Sequence, residues 1–166
     1  MYARKYLFHF LDAGFNRMTA EDGTPPENTN YVRLGKHLEQ YNEELNPQVN
    51  TTNNILGEQV VMFTGYQVSS TVEPYYAEKD DPLWEKLQTI ANERITGDGV
   101  ETTRVDGLMD EEGTVLWAYI ESCKVIPSSL GGDTSGVQVP FQVHNNGNRH
   151  KVNFDLATKK ATKITQ

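Results

Sequence analysis

The residues best equipped for acid–base or metal chemistry in this chain are four histidines, His9, His37, His144 and His150. A histidine pair flanking a turn, joined by a carboxylate such as Asp155, would give a cupin-like metal centre. No two of the four stand at the i, i+4 spacing of a helix or the i, i+2 spacing of a strand, and His144 falls on the polar parity of its run. They read as solvent-facing or structural side chains, and no metal site is expected. Asp106 with Asp110, Glu111 and Glu112 has the acidity of a calcium loop without the EF-hand ligand spacing, so a solvated turn is expected. Gly131-Gly132-Asp133-Thr134-Ser135-Gly136 has the glycines of a phosphate loop. It lacks the lysine, however, and runs into a strand rather than a helix N-terminus. Ser128 and Ser129 have no nucleophile-elbow context, and Asn50-Thr51-Thr52 is a glycosylation sequon of chance frequency. Cys123, the single cysteine, lies in an apolar run on the opposite parity from Lys124 and reads as a small buried hydrophobe. Trp84 and Trp117 read as core aromatics. No catalytic residue, no cofactor-binding residue and no cofactor are expected, so the chain reads as a non-enzyme.

Composition points the same way. The net charge of −8, from 15 basic and 23 acidic residues, opposes ordinary nucleic-acid binding, which needs a cationic surface to release phosphate counterions. At 37% hydrophobic residues with eight Tyr and six Phe, 166 residues are enough for one packed domain, residues 1–166. The longest apolar run, Val115 to Ile120, is far too short for a membrane-spanning helix, and no membrane partner is expected. Residues 1–12 imitate a signal peptide, but His9 and Asp12 interrupt the apolar run, so a first strand is expected there.

The elements that would position these residues are mostly strands. Lys5 to Leu11 opens the chain, and the Gly-, Asn- and Pro-rich stretch of about 12–30 forms a loop or arm. Residues 36–45 have helical spacing at Leu38, Tyr41 and Leu45 but stop at Asn46-Pro47, and an extended reading is favoured. Gln48 to Asn54 reads as a polar connection, followed by Val60, Met62, Tyr66, Val68 and Val72 on one parity. Together they predict a long protruding hairpin with a flexible tip at about 46–57. Asp81 as N-cap, Pro82 at the first position and an apolar stripe of Leu83, Leu87, Ile90, Ala91 and Ile95 predict one helix, about Pro82–Thr96, closed by Gly97. Strands follow near 100–105, 114–126, 136–144, 151–156 and 160–165. Turns are expected at Asp110–Gly113, in the glycine-rich 131–136 and at Asn145–Asn148. The fold class is mainly β, a sandwich or barrel with one flanking helix.

A family resemblance runs from about Tyr31 onward. It is carried by Arg33-Leu34-Gly35-Lys36, Asn46-Pro47, Asn54-Ile55-Leu56-Gly57, Gly65-Tyr66, Tyr75-Tyr76 with Asp81-Pro82-Leu83, the 131–136 glycine run, Pro140-Phe141, Asn146-Gly147-Asn148-Arg149 and Phe154-Asp155. Their order resembles the major tail proteins, the tail tube proteins of siphophages and prophages of Gram-positive bacteria. Val152 and Ala161 depart from the glycine and the aromatic usual at those places. The resemblance implies a tail tube-like fold and a structural virion protein, made in the host cytoplasm and placed in the virion tail. It implies hexameric rings, a homo-oligomer stacked into a conduit for genome delivery, with tape-measure and tail-terminator or distal tail proteins as partners. It also implies transient, non-specific passage of DNA, for which Glu58, Glu73, Glu101 and Glu121 are the candidate acidic lining residues. Alternatives are a type VI secretion-like tube subunit, a carbohydrate-binding β-sandwich using its tyrosines for stacking, and a cupin-type metal enzyme.

Overall fold

A computed structural model describes residues 1–18 and 21–164. In chain order the strands are β1 (Leu7–Asp12), β2 (Tyr31–Arg33), β3 (Glu43–Glu44), β4 (Pro47–Asn53), β5 (Gln59–Tyr66) and β6 (Ser69–Val72). The helix α1 (Pro82–Glu93) follows, then β7 (Glu101–Met109), β8 (Val115–Pro127), β9 (Gly131–Asp133), β10 (Gly136–Gln138), β11 (Phe141–Asp155) and β12 (Lys160–Lys163). The fold is mainly β with one α-helix among the described residues. Eight strands form an antiparallel sheet in the order β2-β1-β7-β8-β11-β6-β3, with β12 paired to β11. The pairs β4-β5 and β9-β10 stand outside it.

The sheet curls strongly. β7 and β6 are separated by β8 and β11, about 14 Å in a flat sheet, yet Arg104 Nη1 of β7 donates to Ser70 Oγ of β6 at 3.2 Å. On the other face Phe154, near the end of β11, has its ring centroid 5.0 Å from that of Phe10 in β1. β7 is accordingly buried on both faces, Thr102 to Gly107 without interruption. One core joins Leu11, Val72, Cys123, Val125, Phe141 and Val143 to Leu83 and Leu87 of α1. The second joins Phe8, Phe10, Tyr31, Val105, Ile120, Val152 and Phe154.

Local chemistry explains the elements. Asp81 caps α1 by accepting from Leu83 N at 3.0 Å, and its other oxygen accepts from Tyr75 Oη at 2.6 Å. The helix ends at Glu93, three residues before the expected Thr96. Arg94 adopts the left-handed conformation at φ 54, and Ile95 N reaches back to Ile90 O, so termination does not await Gly97. The β7–β8 turn is as expected, with Asp110 Oδ1 accepting from Glu112 N and Thr114 N. Within the glycine-rich run the reversal falls between β9 and β10, at Thr134-Ser135.

Three expectations change. Asn145–Asn148 is not a turn between two strands but a bulge inside β11, where Asn145 faces Cys123 and Arg149 already faces Glu121. Gly147 takes φ 86 there, the same left-handed freedom a turn would need. Residues 38–45 are extended only at the two-residue β3, because Leu38 and Tyr41 turn inward to the core. Gln48 to Asn53 belong to a strand, β4, rather than to a polar connection, which confines the hairpin tip to Asn54–Glu58. The loop of about 12–30 is tied down by Asp12, which accepts from Gly14 N, Asn16 N and Asn30 N. Thr19 and Ala20 of that arm, and Thr165 of the expected last strand, lie outside the described residues.

Candidate functional site

The histidines do not converge. His37 is exposed beside Glu78 at 3.3 Å, His144 pairs with Gln142, and His150 pairs with Asn148. Only His9 is buried, with Nδ1 2.6 Å from Asp106 Oδ1. Asp106 therefore does not join Asp110, Glu111 and Glu112 in a turn. It lies inside β7 and is buried, while the other three remain in the exposed turn.

His9, Asp106 and Glu43 place ligand atoms within 4.8 Å of one another, the geometry of a small cation site. A cation is already there. Arg104, fully buried, forks onto Asp106 with Nε–Oδ2 and Nη2–Oδ1 both at 2.8 Å, and its Nε lies 3.7 Å from Glu43. A guanidinium at the centre of the donor set makes a second cation unfavourable, so these residues do not fit a metal. Nor is the pair a catalytic dyad. The guanidinium of Arg4, which can only donate, stands 3.1 Å from His9 Nε2. Nε2 therefore accepts, Nδ1–H donates to Asp106, and no ring nitrogen is left for a nucleophile. Ser70 is bonded instead to Tyr41 Oη and Arg104.

The cluster is a clasp. Arg104 also donates to Tyr41 Oη at 3.0 Å, and Asn145 donates to Glu43 at 2.9 Å. Burial acts to raise the Asp106 pKa. The charge of Arg104 and hydrogen bonds from His9 and Arg104 override it and hold the carboxyl well below the usual range. Burial likewise pushes the Tyr41 hydroxyl and the Cys123 thiol up, leaving the thiol unreactive. What the clasp holds is the neck of the β4–β5 hairpin, since Glu43 precedes it in β3 and Ser70 follows it in β6. Asn46, at φ 45, closes the neck, donating to Gln67 O at 3.0 Å and Ser69 Oγ at 3.1 Å.

Beyond the neck the hairpin pairs only with itself. The parity of Val60, Met62 and Tyr66 predicts one buried face. Instead both faces are open: Val49, Val60, Val61, Met62, Phe63 and Tyr66 are each between 41% and 62% exposed. The tip turn is closed by Asn54, whose Oδ1 accepts from Leu56 N and Glu58 N and whose amide donates to Glu58. Ile55 there is fully exposed and Leu56 largely so. An apolar patch of this extent marks an interaction surface.

Of the acidic candidates, Glu121 is buried and already engaged, accepting from Gly147 N at 2.9 Å and Arg149 at 3.3 Å. It cannot line a channel. Glu101 is paired with Asn146 and faces Arg17, whereas Glu58 and Glu73 are exposed. The Arg104–Asp106 clasp itself is missed by sequence reasoning. Its one signal is a pair of opposite charges two apart in a strand, which places both on one face. Among the described residues no helix is long and apolar enough to cross a membrane.

No protein-family model matches the chain. No curated protein matches it either. Solved structures do. The chain is similar to a chain of the sheath–tube complex of an extracellular contractile injection system, with 10% identity over 92% of this chain and 93% of that one and a TM-score of 0.52. It is similar to the sheath/tube terminator of such a system, with 10% identity, 88% and 93% coverage and a TM-score of 0.51. The tube-terminating cap of the anti-feeding prophage matches at 12% identity, 91% coverage of both chains and a TM-score of 0.50. At these identities the likeness is one of fold, a fold present in the sheath–tube complex and the tube terminators of contractile injection systems.

Proposed function

We propose that this chain is a structural subunit of a phage tail tube, closing into hexameric rings that stack into a conduit for the genome. The observation that carries this is the β4–β5 hairpin, apolar on both faces and held by a buried clasp, on a body with a tube-type fold. A strand pair exposed on both sides is completed by a neighbouring copy, and a hairpin donated to one neighbour and received from another gives a heterologous contact. Such contacts close into rings or continue as stacks. The sequence resemblance supports a siphophage or prophage source. It brings with it the tape-measure, terminator and distal tail proteins as partners, the virion tail as location, and no enzymatic role. The net charge of −8 supports a channel that DNA passes without adhering.

Negative-stain microscopy of concentrated protein tests the reading. Rings about one subunit thick, or tubes built from them, are expected above a threshold concentration; a strict monomer at every concentration overturns it. Two of the similar structures come from tube terminators, which favours a second reading, a ring that caps a tube. Single rings that never stack would select it.

A further inference from the structure

Resting on the reading above, we infer that the tip of the hairpin seats in a basic, apolar-floored notch on the neighbouring copy. The notch is a cavity of about 310 Å³ at the N-terminal end of β1, at the small end of ligand-sized pockets, roughly 300–1,000 Å³. Leu7, Leu34 and Leu38 give it an apolar floor, and Arg4, Lys5 and Arg33 stand at its rim. In a chain of net charge −8 this is a local reversal. Among the described residues none of the three rim cations forms an ion pair: Arg4 and Arg33 donate only to backbone oxygens and His9, and Lys5 rests over Tyr6. Glu39 is the one carboxylate on the lining and is exposed.

The tip is the complement of this notch. From Leu45 to Val72 the chain carries one ionisable charge, Glu58, and it stands beside Ile55 and Leu56 at the turn. An aliphatic pair with one carboxylate matches an aliphatic floor with a cationic rim. The tip cannot reach its own notch. Tyr41, which lines the notch, lies just before the neck, and β4 with its seven residues carries the tip about 24 Å from that neck. The occupant is therefore a second copy, and the assignment places Glu58 in a subunit contact rather than on the channel wall.

Charge reversal tests this on the full-length protein, with assembly followed by light scattering and microscopy. Glu58→Arg, or Lys5→Glu with Arg33→Glu, should raise the threshold concentration at least about tenfold while leaving the melting temperature unchanged. Combining all three substitutions should restore it to within about threefold. A protein carrying Leu56→Cys and Leu38→Cys should give a ladder of disulfide-linked oligomers, whereas Leu56→Cys with Leu130→Cys should not. The native Cys123 is buried and does not interfere. If wild-type protein assembles but the reversals change nothing and no ladder forms, the notch assignment is wrong and the tube-subunit reading stands. If only the rim substitutions act, the notch receives a different carboxylate and the tip assignment is overturned. If wild-type protein never associates, both fall.

Discussion

Arg104 and Asp106 are both buried, and each neutralises the other. Asp106→Asn leaves the buried guanidinium with only the more distant Glu43 carboxylate as counter-charge and should lower unfolding stability by about 3 kcal/mol, measurable by urea titration. Arg104→Met together with Asp106→Leu removes both charges and should recover most of that loss. Acid provides a separate readout. Asp106 has a depressed pKa in the folded state, so its contribution is fully present above the unfolded carboxylate value, about 4. It is lost as pH falls below that value towards the folded pKa. The wild type should therefore lose stability more steeply than Asp106→Asn below about pH 4. Little of this was legible beforehand. His9 and Asp106 are 97 residues apart, and no local pattern announces a contact set by the curl of a sheet. The burial of Cys123, by contrast, is legible from its place in an apolar run on the opposite parity from Lys124, although β8 is buried on both parities from Ile120 to Cys123.

The secondary elements divide by whether their signals are local. Asp81-Pro82 and the 83–90 stripe identified α1, because capping and periodicity act within a few residues. Asp81→Ala removes the bond to Leu83 N and the one from Tyr75. It should cost about 1–2 kcal/mol, seen as a lower melting temperature with no change in fold. The Asn145–Gly147 bulge reads as a turn in the sequence because Asn-Gly supplies positive φ equally to a hairpin turn and to a bulge; only the partner strand β8 decides between them. The hairpin was legible as a protrusion but not as a strand pair with two open faces, since alternation normally implies a core on one side. Its side chains belong to neither packed core. Replacing residues 47–66 with a two-residue turn should leave the melting temperature within about 3 °C of wild type and abolish assembly. A large drop would show that the hairpin supports the body.

At the scale of the whole molecule and under the proposed function, the charge excess matters in the assembly, where six copies would concentrate carboxylates around one axis. Under the proposed function, Glu73 and its exposed acidic neighbours are expected on the channel wall, with Glu121 excluded by its burial. Replacing several such carboxylates with Lys should leave tubes intact in the microscope and slow genome ejection, because cationic side chains hold phosphates that must slide past. Unchanged ejection, with the positions confirmed to face the channel, would remove the electrostatic account.

The chargeless run from Gln59 to Tyr66 also sets a limit on the life of an unincorporated subunit. Strand segments with high β-propensity, no proline and no charge stack on copies of themselves when nothing else covers them. If the proposed function holds, a cell making this chain faster than it initiates particles would accumulate a species prone to fibrillar precipitation. Placing a lysine at Val61 should suppress thioflavin-positive aggregates in concentrated protein. Under the proposed function, supply of subunits and initiation of particles must therefore be matched in time, and the hairpin proposed to join the copies makes a surplus of them hazardous.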